Sequence, residues 1–159
     1  MRWFLLGLLL LVLPAGAQTA KKEWVQKPRL GWVHQLGVTL AVPGKRKVTC
    51  DADGALHVET DDYLVQIFVY GEEASAQQSL QAIATESEKV FPGLKFGEVQ
   101  QYAQPDGRKA FIQEGTVNGL GLLLSRISKG KHHVVVYSIM KSKDAQDATL
   151  ALMTDLKFP

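Results

Sequence analysis

The sequence predicts an α+β fold: a single two-layer or sandwich domain with an antiparallel sheet of about seven strands and two helices packed on it. Three observations predict it. Short runs of alternating apolar and polar residues recur from Gly37 onward, which is the period of a half-buried strand. Turn chemistry separates them, at Pro43-Gly44, Asp53-Gly54, Gln104-Pro105-Asp106-Gly107, Asn118-Gly119 and Gly130, and loops this short join antiparallel neighbours. Two segments instead follow the 3.6-residue period of a helix, one between Ser75 and Phe91 and one from Ser142 to Leu156.

Taken in order, Gly37–Val42 alternates Val38, Leu40 and Val42 against Thr39 and Ala41. Arg46–Asp51 and Ala55–Thr60 form a hairpin whose register can be argued. A two-residue Asp53-Gly54 turn would pair Cys50 with His57. A three-residue loop, with Gly54 in the left-handed position, pairs Cys50 with Leu56 and Val48 with Val58, putting all four apolar groups on one face. The second register makes Cys50, the single cysteine of the chain, an inert core thiol and places His57 opposite Thr49. Tyr63–Tyr70 is apolar on both faces around Gln66, as a central strand must be.

Ser75-Ala76-Gln77-Gln78 has the form of a capping box for the first helix, whose buried stripe runs Ala76, Leu80, Ile83, Ala84, Ser87 and then Val90 or Phe91. The remaining strands are Leu94–Tyr102, Arg108–Val117, Leu120–Lys129 and His132–Lys141. Asn118-Gly119 is the strongest hairpin signal, since a type I′ turn needs positive φ at both central residues. Ser142 caps the last helix, with Ala145, Ala148, Thr149, Leu152, Met153 and Leu156 facing inward.

Residues 1–17 read as a secretory signal peptide: Met1-Arg2, the apolar run Trp3–Leu13, then Ala15-Gly16-Ala17 as the cleavage site. The run is far shorter than the ~20 residues that span a bilayer, so no stable membrane anchor is expected after cleavage. The expected location is extracytoplasmic, periplasmic or secreted. Residues 18–35 read as an N-terminal arm without sustained period, and residues 36–159 as the α/β domain.

The chain has 18 basic and 16 acidic residues in 159, a balance that excludes a polyanion such as nucleic acid as the main partner. Candidate chemistry is sparse. His132 and His133 are adjacent, so in a strand they point to opposite faces and cannot converge on one metal ion. The paired acids Asp61-Asp62 and Glu72-Glu73 lie in polar connections, and Gly119-Leu120-Gly121 sits at a hairpin turn rather than opening a helix. No catalytic residue, metal site or cofactor is assigned. An enzymatic alternative, a small hydrolase or metal-dependent enzyme, would require at least two of His57, His132 and His133 to meet a carboxylate in one pocket. The preferred reading is a secreted or periplasmic non-catalytic binding or accessory module, and it rests on Trp24, Trp32, Lys27 and Arg29, aromatic and basic types enriched at interface anchors. The same tryptophans could instead cover an open sheet face.

Gly37-Val38-Thr39-Leu40-Ala41-Val42-Pro43, Ser79-Leu80-Gln81-Ala82-Ile83 and Gly107-Arg108-Lys109-Ala110-Phe111, in this order and spacing, resemble the PsbP/DcrB-like α/β sandwich superfamily. Gly44 stands where such proteins usually carry an aromatic residue. The resemblance implies a binding or accessory module without shared catalytic residues, whose partner here would be another extracytoplasmic protein. It supplies no functional residue to carry over.

Overall fold

The computed structural model describes residues 23–51, 54–71, 80–103 and 106–159. The expected leader at 1–17, the capping box at 75–78 and the Ala52-Asp53 turn tip lie outside the described residues. Eight strands build the larger of two sheets: β4 (Lys47–Cys50), β5 (Leu56–Glu59), β6 (Tyr63–Tyr70), β7 (Lys95–Phe96), β8 (Gln100–Ala103), β9 (Lys109–Val117), β10 (Leu120–Lys129) and β11 (His132–Met140). Their order is β4-β5-β6-β11-β10-β9-β7, antiparallel throughout, with β8 also paired to β9. Helix α1 (described over Leu80–Val90) covers one face and α2 (Lys143–Thr154) the other.

β4, β5, β6, β9, β10 and β11 lie where periodicity puts them. β6 is interior, with Val65, Ile67 and Val69 in the core under α2 and Phe68 in the core under α1. Cys50 pairs with Leu56, Val48 with Val58 and Thr49 with His57, the register that gathers the apolar groups. Asn118 and Gly119 have φ of 50° and 78°, as the tight β9–β10 turn demands. The Ser142 hydroxyl accepts the Ala145 N–H to cap α2. In α1, Phe91 completes the buried stripe, while Val90 faces water.

Three features differ from the sequence expectation. The sheet has eight strands rather than seven, because 94–102 is not one strand: it breaks between β7 and β8, where Gly97 donates to the Glu114 carbonyl and the Gln113 side chain donates to the Gly97 carbonyl at 2.8 Å. Glu88, which lies outside the buried stripe read from the sequence, accepts the Phe96 N–H and so ties α1 to β7. The segment read as an arm folds as a hairpin, β1 (Trp24–Lys27) and β2 (Gly31–His34).

That hairpin joins β3 (Thr39–Leu40) and β12 (Leu156–Lys157) in a second, four-stranded sheet of order β1-β2-β3-β12. Its inner side chains Trp24, Leu40 and Leu156 enter the same cluster as Leu56, Val58 and Leu152, so the small sheet lies beside α2 on that face of the large one. Arg108 ties the ends of this layer together: its guanidinium donates to the Thr154 and Leu156 carbonyls at the C-terminus of α2, and pairs with Asp106 at 2.6 Å. The cation thus satisfies carbonyls that the helix leaves open. Beside it, the Asp106 carboxyl is held below its ordinary range by the Arg108 hydrogen bonds.

Candidate interaction surface

The β1–β2 hairpin gathers exposed apolar surface. Among the described residues six large hydrophobic side chains stand out in water, and three of them, Val25 (51% exposed), Leu30 (58%) and Leu36 (36%), belong to this hairpin and its flanks. The alternation of a strand produces this arrangement. Trp24 turns inward and is 2% exposed, so its neighbour Val25 must turn outward, where it lies opposite Val33 of β2. Lys27 and Arg29 flank the apolar groups and are fully on the surface. The turn between the strands passes through Arg29 at φ 67°, an uncommon left-handed conformation for a residue with a side chain.

The four residues expected to bind therefore separate. Trp24 is core and not available to a partner; Trp32 is half-buried and packs against the same cluster; Lys27 and Arg29 remain accessible. Val25, Leu30 and Leu36 were not expected; the sequence signal for Val25 was the outward phase of β1, which four residues are too few to display, and Leu30 and Leu36 lie in turns, which carry no period.

A polar network fixes the hairpin from inside. His34 Nε2 lies 2.9 Å from Glu23 Oε2, its Nδ1 accepts the Leu36 N–H at 3.1 Å, and its ring meets Trp24 edge-on with centroids 5.1 Å apart. Burial lowers the His34 pKa, against the pull of the Glu23 carboxylate. Cys50 is half-buried rather than fully enclosed, because β4 is the edge of the large sheet. Its thiol pKa is raised, first by burial and then by the Asp51 and Glu23 carboxylates, while the backbone N–H groups of Trp24 and Glu23 pull the other way. The thiol is the stable form at neutral pH and is a poor nucleophile.

The remaining candidates are scattered. His57 pairs with Asp51 at 2.6 Å, and the second Asp51 oxygen accepts the Ala55 N–H, so this pair closes the β4–β5 turn. His133 Nδ1 lies 2.9 Å from the Ser128 hydroxyl. His57 is in register with Gln66 and His133 with Tyr70, two strands away, which separates them by about 16 Å. His132 points to the opposite face from His133. No group of three or more metal-ligating side chains forms among the described residues, and none of their helices is long and apolar enough to cross a membrane. An open cleft of about 430 Å³ lies elsewhere, between β7, β9, β10 and the first turns of α2, and contains no histidine. Glu114 on its wall accepts from Gln146 of α2. Gly115 beneath it is obligatory, since a Cβ there would fall 2.7 Å from the Phe96 ring.

No protein-family model matches the chain, and no curated protein matches it. Its fold is similar to the solution structure of cyanobacterial PsbP (CyanoP) from Synechocystis sp. PCC 6803, with a TM-score of 0.51 and 7% identity over 92% of this chain and 99% of that one. The chain has a PsbP-like α+β fold.

Proposed function

We propose that the protein is a non-catalytic binding or accessory module that docks another extracytoplasmic protein through its β1–β2 hairpin. The observation that carries this reading is the exposure of Val25 and Leu30, beside Lys27 and Arg29, on the β1–β2 hairpin, with Leu36 exposed just past β2. Apolar groups with a basic rim are the composition of a docking surface, and grouped exposure of this kind is what distinguishes such a surface from ordinary scattered apolar residues. The Met1–Ala17 segment supports the extracytoplasmic location, and the superfamily that the sequence resembles supports a module without catalytic residues. The wide separation of His57 from His133 weighs against a shared catalytic pocket.

The test is crosslinking capture from the native compartment, comparing the natural chain with Val25→Thr/Lys27→Glu/Leu30→Gln. These side chains face water, so the variant should fold. A specific protein captured by the natural chain and reduced at least tenfold with the variant supports the reading. Equal capture by both, or none by either, removes it. Deleting the whole hairpin would not serve, since Trp24 would leave the core.

A further inference from the structure

The network around His34 does more than fill space. Its side chain is 1% exposed, and both ring nitrogens are committed. A backbone N–H can only donate, so Nδ1, which faces the Leu36 N–H, must carry a lone pair. The single ring proton of the neutral form therefore sits on Nε2 and is donated to Glu23. A second proton would have to enter at Nδ1, where it would meet the Leu36 N–H donor to donor. That contact cannot persist.

We propose that His34 is a proton-operated latch on the docking hairpin: uptake of one proton breaks the Leu36 N–H···Nδ1 bond, opens the β2–β3 turn and loosens the seat of Trp24. The hairpin that carries Val25 and Leu30, and the turn that carries Leu36, are then held in one shape at neutral pH and released in acid. The charged group facing His34 is Glu23 on β1, and the carboxylate favours the cation. From β4, Cys50 lies within electrostatic reach of Glu23, and Asp51 follows it. Burial opposes the cation and prevails, so the closed hairpin holds its proton less tightly than an open one. The sign follows: stability from the latch is complete above the ordinary histidine value of 6.5 and is lost as pH falls below it.

The latch concerns the hairpin's own chemistry; its regulatory meaning rests on the docking reading above. The experiment is NMR on the protein from pH 7.5 to 4.5, following His34 ring nitrogen shifts, the Trp24 indole and the exchange protection of the Leu36 amide. We expect the Nε2–H tautomer at neutral pH. Leu36 protection should fall at least tenfold between pH 7 and 5, while amides of β10 and β11 hold theirs. In His34→Asn the side-chain carbonyl can accept the Leu36 N–H and does not titrate, so protection should be flat with pH. In Glu23→Gln the closed hairpin holds the proton still less tightly, so the fall should set in at the same pH and go deeper. A neutral ring protonated at Nδ1, a flat wild-type profile, or the same fall in His34→Asn would each overturn the latch. If His34→Asn does not fold, the wild-type tautomer and profile decide. None of these readouts needs a partner. Capture lost in the Val25/Lys27/Leu30 variant at both pH values speaks to docking, and Leu36 protection speaks to the latch.

Discussion

The two sheets of this protein are held by different means. In the large sheet β6, β9, β10 and β11 run eight to ten residues, tight turns join β9 to β10 and β10 to β11, and Leu122, Leu123 and Leu124 are all buried because both faces are covered. The small sheet has strands of two to four residues drawn from both ends of the chain. It depends on one large anchor, Trp24, on the Glu23–His34 pair, and on Arg108 holding the α2 terminus from which β12 departs. Long strands make stability a shared property of many contacts. Short strands concentrate it in a few side chains, which makes the smaller sheet the place where one protonation or one substitution is felt.

Removal of Trp24 breaks the contrast most directly. Trp24→Ala should cost about 3–5 kcal/mol in denaturant unfolding if the sheets unfold together, since a large buried ring is lost. A loss below about 1 kcal/mol, with an early separate transition, would show that the small sheet melts alone. Arg108→Ala should cost about 2 kcal/mol, because three hydrogen-bonded groups lose a charged partner at the α2 terminus. Thermal unfolding checks it, and Arg108→Lys should recover less than half, as an ammonium cannot reproduce the guanidinium fork. Gly119→Ala, confined to one turn of the large sheet, should cost about 1 kcal/mol through its positive φ, without opening the small sheet. The smallest effect belongs to Cys50→Ala, at the edge where the sheets meet, which should shift stability by less than about 1 kcal/mol. In the natural chain Cys50 should react with a thiol reagent far more slowly than in denaturant, and equal rates would show that the junction is open.

What could be read from the sequence divides along the same line. The β4–β5 register was legible because shifting it by one residue turns Val48, Cys50, Leu56 and Val58 to the wrong face, and Asn118-Gly119 is legible from two residues alone. Local chemistry determines both. The β1–β2 hairpin was not legible, since its turn uses a left-handed Arg29 where sequence rules look for glycine, and its inner face carries His34, a residue that reads as exposed until Glu23 is placed beside it. The break between β7 and β8 depends on Gln113 reaching Gly97, and the closing of the α2 terminus depends on Arg108 reaching the Thr154 carbonyl. Such long-range bonds leave no periodic trace. Of the four residues expected to bind, Lys27 and Arg29 lie on the surface, whereas Trp24 proved to be the anchor beneath it.

The pairing of β12 with β3 sets an order of assembly. Thr39 and Leu40 wait for Leu156 and Lys157, so the small sheet cannot close until residues more than a hundred positions further along have been made. The hairpin that carries the exposed apolar face is made early and finished late. During that interval its inner side chains, Trp24 above all, have no neighbours from the C-terminal end to cover them, and a chain stalled or clipped before residue 156 would display them to a chaperone or protease.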